Sequence, residues 1–179
     1  KIKYFTARVI PNQRDINIHT RQNLYLRALN TVPNTEIILG NFQTHTVNRP
    51  LANPLEVLIA NPMNHLKTPK IIHFADVLIT NEKGSDVNLA TNLLVDGMSD
   101  LYDAAIVISN DSDLVAPIHY VKSKQKKTVV VLNPHPNNST QLQRASHKVI
   151  KIESAHLSAS QFPATLIDSR GTFTKPTTW

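Results

Sequence analysis

Cysteine is absent from the 179-residue chain. Its absence excludes disulfide bonds, thiolate-bound zinc and iron–sulfur clusters and fits a reducing compartment, so we expect a cytoplasmic protein. Long hydrophobic runs are missing as well: the apolar stretches 104–109 and 128–132 are far too short to cross a bilayer. No charged-then-apolar leader opens the chain. Together these absences predict a domain without a membrane partner.

Acidic residues are scarce in the second half of the chain. The whole chain carries 19 Lys and Arg against 13 Asp and Glu, a formal net charge of +6. No acidic residue lies between Asp113 and Glu153, and the basic residues of that stretch are Lys122, Lys124, Lys126, Lys127, Arg144, Lys148 and Lys151. A positive domain favours polyanions such as nucleic acid, although many soluble proteins are basic without binding it.

The length and the 41% hydrophobic content fit one globular domain spanning residues 1–179. Strands and helices are predicted to alternate through the second half, which favours a Rossmann-like α/β fold with a doubly wound, mainly parallel sheet flanked by helices. The predicted strands are 3–10, 35–39, 70–80, 104–109, 128–132 and 148–152, and the predicted helices are 19–30, 86–96, 114–123 and 139–146. Because the strand 104–109 is continuously apolar, we expect it to be central and covered on both faces.

Two segments lack a regular pattern. Residues 41–69 are rich in Asn, Pro and His and are too short to fold alone, so we interpret them as a loop-like excursion. The tail after Gln161 is also interpreted as irregular.

Two aspartates follow the apolar strand 104–109. Asp111 and Asp113 lie where that strand ends, and ligands of open α/β sheets bind beyond the carboxyl ends of the strands. Two carboxylates two residues apart repel each other unless a cation neutralises them, and hard cations such as Mg²⁺ or Mn²⁺ prefer oxygen ligands. The plainer alternative is that one aspartate only caps the next helix.

A second loop repeats this arrangement after the strand 70–80. Gly84 lets the chain turn tightly, Ser85 is a candidate N-cap, and Asp86 falls in the first helical turn, where the helix dipole favours an anion. Helix capping alone explains this motif too. If both loops lie on the same edge of one parallel sheet, however, their carboxylates could converge on one cation.

The two loops together resemble those of the NYN domain, a branch of the PIN-like ribonuclease superfamily. The runs EKGSDVNLATNLL, YDAAIVISNDSDL and KKTVVVLNP carry the resemblance, and IKYFTARV, RQNLYLRAL and KPTTW are similar to the bacterial form of the family. The resemblance covers nearly the whole chain except the loop-like excursion. It implies a Rossmann-like fold with an acidic pocket that binds Mg²⁺ or Mn²⁺ and cleaves RNA. It places three catalytic and metal-binding acids in that pocket, Asp86, Asp111 and Asp113, with Ser109 and Ser112 shaping the loop.

Two departures from the family pattern bear on activity. The family's first strand, which ends in an Asp, has no counterpart in this chain, and Asn92 stands where the family often carries an acid. An amide oxygen can ligate a metal but contributes no charge. The alternative to a divalent-metal-dependent ribonuclease is therefore a catalytically weak or inactive NYN module that binds RNA or regulates a partner.

If the chain is active, we expect metal-ion catalysis, in which a cation lowers the pKa of a bound water and offsets charge in the transition state. Lys83 lies next to the expected pocket, and Arg21 and Gln22 begin a helix that the resemblance places near it; all three are candidate RNA-binding residues. The basic run 122–127 is interpreted as a solvated turn that adds salt-sensitive attraction to RNA. The sequence leaves open whether the domain forms a homodimer or works joined to another domain.

Overall fold

Three separate groups of hydrogen-bonded strands and five α-helices build the part of the chain that the computed structural model describes, residues 1–11, 15–60, 67–137 and 139–176. The strands are β1 (Ile2–Ala7), β2 (Thr35–Ala60), β3 (Lys67–Lys83), β4 (Ala104–Ile108), β5 (Thr128–Asn133), β6 (Lys148–Lys151), β7 (Thr165–Asp168) and β8 (Gly171–Thr174). The helices are α1 (Ile18–Leu29), α2 (Ser85–Met98), α3 (Val115–Ser123), α4 (Thr140–Ala145) and α5 (Ser154–Ala159), and a 3-10 turn covers Ser112–Leu114. The chain divides into two compact units, the body (Lys1–Asn41 and Lys83–Trp179) and the arm (Phe42–Glu82).

The main core of the body lies on one face of the parallel sheet β4–β5–β6. The register pairs Val107 of β4 with Val131 of β5 and Val131 with Val149 of β6, so these side chains project to the same face. Helices α2, α3 and α4 cover this face. The buried core residues are Leu93, Val107, Leu114, Ile118, Val121, Val129, Val131, Leu142 and Ala145. This strand–helix alternation is the one predicted for the second half of the chain.

The other face of β4 is open. Ile106 is 67% exposed and Ile108 is 61% exposed. Among the described residues β4 is hydrogen-bonded to β5 alone, which makes it an edge strand of its sheet. The prediction that β4 is central and covered on both faces is therefore wrong.

The strands β1, β2 and β3 form a second sheet of mixed direction. The six residues of β1 pair in parallel with the start of β2, from Ile2 opposite Thr35 to Ala7 opposite Gly40. Beyond this pairing, β2 continues into the arm beside β3.

The strands β2 and β3 run in opposite directions within the arm. The Thr44 and Thr80 hydroxyls are hydrogen-bonded at 2.9 Å, and the Asn48 amide donates to the Asp76 carboxylate at 2.7 Å. Because the residue number rises on one strand as it falls on the other, the pair is antiparallel. The segment 41–69 is therefore not a loop-like excursion over its described part, since 41–60 and 67–69 are extended strand.

A doubly wound, mainly parallel sheet is the wrong fold class for this chain. The described strands form an α/β structure with one mixed sheet, one small parallel sheet and a two-stranded antiparallel sheet. The prediction extended the strand–helix alternation of the second half to the whole chain. It failed because β2 and β3 are joined as an antiparallel pair and β3 is not hydrogen-bonded to β4.

The described residues after Gln161 include regular secondary structure, against the prediction of an irregular tail. The strands β7 and β8 form an antiparallel hairpin that is tied to helix α1. The Arg27 guanidinium donates to both carboxylate oxygens of Asp168 at 2.6 Å and lies 4.1 Å from the centre of the Phe173 ring. This bidentate bond with Arg27 lowers the pKa of Asp168 to about 2.

Candidate functional site

The turn after β4 carries the first pair of candidate acids. Asp111 is the N-cap of the 3-10 turn, and its Oδ1 accepts a hydrogen bond from the backbone N–H of Asp113 at 2.9 Å. The backbone N–H of Asp111 in turn donates to the Ser109 hydroxyl at 3.0 Å. The side chain of Asp111 is half-buried, whereas Ser112 and Asp113 are exposed. Ser109 is therefore bonded to the backbone of this loop, and Asp111 has the capping role of the plainer alternative.

Asp86 lies on a separate element, in the first turn of α2. The N-cap of this helix is Gly84, whose φ of 98° is a left-handed conformation that glycine adopts without strain. Ser85 is the buried first residue of the helix rather than the predicted N-cap. Asp86 itself is exposed at the positive end of the helix dipole, where a carboxylate is stabilised.

Helix α2 and the 3-10 turn, which carry the candidate acids, are in contact, but their acids do not form a complete metal site among the described residues. Helix α2 contacts the 3-10 turn Ser112–Leu114 within the body. Nevertheless, in the described segments no three His, Asp or Glu side chains are grouped closely enough to hold one metal ion. Sequence reasoning placed both loops on one edge of a single sheet, whereas β3 and β4 belong to different sheets.

Asn92, the residue that replaces a family acid, is bonded to a lysine. Its amide oxygen accepts from the Lys3 ammonium at 2.7 Å, and its amide N–H donates to the Asn88 carbonyl at 2.8 Å. Lys3 also forms an ion pair with Asp96 at 2.6 Å, and both side chains are mostly buried, at 18% and 21% exposure. Asn92 and Asp96 thus link α2 to β1 through Lys3.

Two asparagines that sequence reasoning missed support the same region. The side chain of Asn110 accepts from the backbone N–H of Ser139 at 3.2 Å. Fully buried Asn133, at the end of β5, accepts from the His135 N–H at 2.8 Å and donates to the Asn137 carbonyl at 3.0 Å. These bonds fix the loops at the carboxyl ends of β4 and β5. The available signal was an Asn directly after each apolar strand, in the runs ISND and VLNP.

The candidate RNA-binding residues have different surroundings. Lys83 is exposed at the end of β3. Arg21 forms an ion pair with Asp15, and the hydrogen bond to this carboxylate raises the pKa of the guanidinium. The Gln22 side chain is bonded to the backbone at the end of β1, donating to the Ala7 carbonyl at 2.7 Å. Of the three side chains, that of Lys83 is the most accessible to an RNA phosphate. All three RNA-binding assignments stay predictions.

The basic run 122–127 includes two lysines with structural bonds. The Lys122 ammonium donates to the Ser146 carbonyl at 2.5 Å and to the Arg144 carbonyl at 3.3 Å, which stabilises the negative end of α4. Lys127 forms an ion pair with Asp100. Lys124 and Lys126 are exposed to solvent, as expected for a solvated turn.

A cavity of the described body lies elsewhere. It has a volume of about 340 Å³ and is bounded by α1 and by the chain from α5 to the end of β8. Its wall includes the aromatic rings of Tyr25, Phe162 and Phe173, with Lys175 at one side. Burial raises the pKa of the Tyr25 hydroxyl, and the neighbouring Tyr4 adds to this shift. None of the three predicted acids lines this cavity.

A family profile described as the NYN domain matches residues 24–153, which is well over half of the chain. The chain belongs to the NYN domain family. The predicted resemblance is thereby confirmed, and with it membership of the PIN-like superfamily of nuclease-type domains.

Two further comparisons place this NYN chain among known proteins. It is 28% identical over 187 residues to a 6-hydroxy-3-succinoylpyridine 3-monooxygenase from Pseudomonas putida, an alignment that covers 99% of the chain. The chain spans only 57% of the length of that relative. A crystal structure of a protein of unknown function from Vibrio parahaemolyticus has 15% identity and a TM-score of 0.48, over 83% of this chain and 67% of that one.

None of the helices in the described segments is long and apolar enough to span a membrane.

Proposed function

We propose that this NYN domain cleaves RNA phosphodiester bonds with the help of Mg²⁺ or Mn²⁺ bound at the turn after β4. The observation that carries the proposal is the position of Asp111 and Asp113 on this turn, in a chain that belongs to a nuclease-type family. The excess of basic residues after Asp113 supports a polyanionic substrate.

The three carboxylates fit a weakly bound cation with several water ligands better than a cation that is fully coordinated by protein. Mg²⁺ commonly binds proteins through one or two carboxylates and completes its shell with waters and substrate phosphates. Asp111 and Asp113 supply two carboxylates on one turn, and Asp86 supplies a third on the neighbouring helix α2. We therefore expect weak metal binding by the free protein and tighter binding with RNA.

The chain's own residues would bind and orient the RNA. A divalent cation supplies an activated water and offsets charge on the phosphate. The Asp111 N–H donates to the Ser109 hydroxyl and the Asp113 N–H donates to Asp111 Oδ1, so the turn and the Asp111 carboxylate are held in place before substrate arrives. Exposed Lys83 would contact a phosphate from the β3 side.

Charge-removing variants test this proposal on the full chain. We expect Asp111→Asn and Asp113→Asn each to lower Mn²⁺-dependent cleavage of single-stranded RNA by about 100-fold, since electrostatic contributions of this kind amount to several kcal/mol. Asp103→Asn is the matched control, because Asp103 is exposed just before β4, at the opposite end of the same strand. Cleavage that persists unchanged in Asp111→Asn would remove Asp111 from the reaction.

Binding of Mn²⁺ is measured separately from cleavage. Mn²⁺ should raise the melting temperature of the wild-type chain, because a ligand of the folded state stabilises it by mass action. The rise should be smaller in Asp111→Asn and Asp113→Asn and unchanged in Asp103→Asn. An equal rise in all four proteins would place the cation elsewhere.

An RNA-binding module without cleavage is the alternative use of the same surface. The bond of Asn92 to Lys3 favours it, because the position that often holds an acid in the family is occupied here by an amide bound to an ammonium group. This module would bind RNA with a strong salt dependence and would release no shorter products. Wild-type binding without cleavage in Mn²⁺ would support the module and exclude the nuclease.

A second candidate function is binding of a small aromatic acid in the cavity beside α1. It is supported by the similarity to the Pseudomonas putida monooxygenase and by a cavity of about 340 Å³ with three aromatic rings and a lysine. Calorimetric titration with 6-hydroxy-3-succinoylpyridine tests it. Binding should be lost in Phe173→Ala and retained in Asp111→Asn, and no heat with the wild type would exclude it.

A further inference from the structure

The packing of α3 against α4 leaves an open groove between the two helices, with a volume of about 330 Å³. Its floor is apolar: Ala145 belongs to the core of the body, and half-buried Val115 packs against that core. Its rim is polar, because His119, Gln141 and Arg144 line the groove and are exposed. The groove therefore offers an aromatic ring, an amide and a cation above an apolar surface.

This groove adjoins the turn that carries Asp111 and Asp113. Helices α3 and α4 both contact the 3-10 turn Ser112–Leu114. Val115 directly follows this turn, so one end of the groove lies beside the candidate acids. His119 is one helical turn further along α3, about 6 Å away at the usual rise of an α-helix. A ligand that extends from the acids along α3 would enter the groove.

Arg144 is a cation without an acidic partner. The sequence has no acidic residue between Asp113 and Glu153, and in the described segments no carboxylate forms an ion pair with Arg144. Four other arginines have side-chain partners in these segments: Arg8 with Asn23, Arg21 with Asp15, and Arg27 and Arg170 with Asp168. The Arg144 guanidinium can therefore bind an anion from outside the chain, and its planar fork of N–H donors matches a phosphate.

We propose that the groove between α3 and α4 binds one nucleotide of an RNA strand, next to the phosphodiester bond held at the candidate acids. The Arg144 guanidinium binds a phosphate, the base stacks on the His119 ring above the apolar floor, and the Gln141 amide bonds to the base edge. Proteins commonly bind single-stranded RNA with this combination of aromatic stacking and basic side chains. The inference rests on the proposed function, since it takes RNA as the ligand.

Fluorescence anisotropy of a fluorescein-labelled oligouridylate, titrated with the full chain in EDTA, tests this proposal without metal-dependent cleavage. Arg144→Gln should weaken binding about tenfold, because it removes a charged hydrogen bond to a phosphate. It should also reduce the slope of log affinity against log salt concentration by about 0.7, the change expected for one phosphate contact with a single strand.

Two controls separate the groove from general attraction between a basic protein and RNA. Arg49→Gln makes the same charge change at an exposed arginine of the arm and should bind like the wild type. Lys124→Gln removes an exposed charge from the same acid-free stretch outside the groove and should weaken binding less than Arg144→Gln. Equal weakening of Arg144→Gln and either control overturns the proposal.

Stacking on His119 is tested by a second pair of variants. His119→Ala should weaken binding at least about fivefold, whereas His119→Phe keeps a flat ring and should bind like the wild type. Circular dichroism checks that each variant is folded. An equal loss in both variants, or no loss in His119→Ala, overturns the proposal.

Cleavage in Mn²⁺ is measured separately, so the groove and the nuclease fail in different ways. Binding that depends on Arg144 without any cleavage supports the groove and excludes the nuclease. Cleavage by a chain whose RNA binding is unchanged in Arg144→Gln overturns the groove and leaves the nuclease. A wild-type chain that does not bind the oligouridylate also overturns the groove.

Discussion

Gly97 lies inside helix α2, where alanine would ordinarily be the better residue. Helix propensity alone predicts that Gly97→Ala stabilises the protein by about 1 kcal/mol. The surroundings predict the opposite, because a Cβ at this position would lie 2.0 Å from Gln125 Oε1 and 2.8 Å from the Tyr102 hydroxyl. Gly97 is also buried, so it is a packing residue of the helix, and Ser99 is the C-cap.

The magnitude follows from the two side chains that would have to move. The Tyr102 hydroxyl donates to the Leu93 carbonyl at 2.6 Å, and the Gln125 amide donates to the Leu94 carbonyl at 3.1 Å. Each bond is worth about 1 kcal/mol, and overpacking adds about 1–3 kcal/mol. After the propensity gain is subtracted, we expect Gly97→Ala to lower the free energy of unfolding by about 2–4 kcal/mol.

Urea unfolding followed by circular dichroism measures this change. The sharper comparison is Gly97→Ala in a Gln125→Ala background, which removes the nearest atoms. There the loss should shrink by about 1 kcal/mol, a coupling typical of residues in contact. A stabilised single variant, or no coupling to Gln125, would refute the packing argument and leave propensity as the dominant effect.

Three further predictions concern named contacts. Asp111→Ala should lower the unfolding free energy by about 1 kcal/mol, whereas Asp111→Asn should keep it nearly unchanged, because asparagine is an equally good N-cap; urea unfolding of both distinguishes them. Lys3→Met should cost about 1–3 kcal/mol in the same assay, because it leaves the mostly buried Asp96 without its ammonium partner. The pKa of Asp168 is about 2 in the folded state, below the unfolded value, so its ion pair with Arg27 stabilises the fold above about pH 4 and is lost as the pH falls towards 2. Melting temperatures should therefore fall less steeply across this window in Arg27→Met than in the wild type, and equal slopes would contradict the assignment.

The parallel sheet of the body could be predicted because its signals are local. Continuous apolar runs at 104–108 and 128–132 become β4 and most of β5, and the helices between them follow from their spacing and their caps. Each of these elements buries one set of apolar residues in the core, although Ile106 and Ile108 on the other face of β4 stay exposed. Local pattern and tertiary packing therefore agree in this half of the protein.

The arm and the C-terminal hairpin could not be predicted in the same way. The prolines and asparagines of 41–69 are typical of loops, yet Pro50 and Pro54 lie within β2, as proline can at the exposed positions of a two-stranded ribbon. The four-residue strands β7 and β8 are too short for a periodic signal. They are stabilised by contacts with Arg27, which is 141 residues away from Asp168 along the chain.

For the candidate site, the sequence predicted the positions of the acids but not their relation to each other. Both loops follow strands, and all three acids lie at the start of a helix or turn, as expected. The prediction that the three carboxylates meet at one cation assumed that both loops lie on the same edge of one sheet. This assumption is wrong, because β3 and β4 belong to different sheets. The contact that the structure does show is between helix α2 and the 3-10 turn after β4, a tertiary contact without a local signal.

The capping role of Asp111 does not compete with a role in binding metal. A carboxylate has two oxygens, and the bond from the Asp113 N–H uses Oδ1. By fixing the rotamer of Asp111 and the direction of the turn, the cap would lower the entropy lost when a cation binds. Asparagine retains the cap but loses the charge, so it separates the two roles within one side chain. If Asp111→Asn is as stable as the wild type and still fails to respond to Mn²⁺, the carboxylate is needed for its charge; if it responds fully, Asp111 is a cap alone.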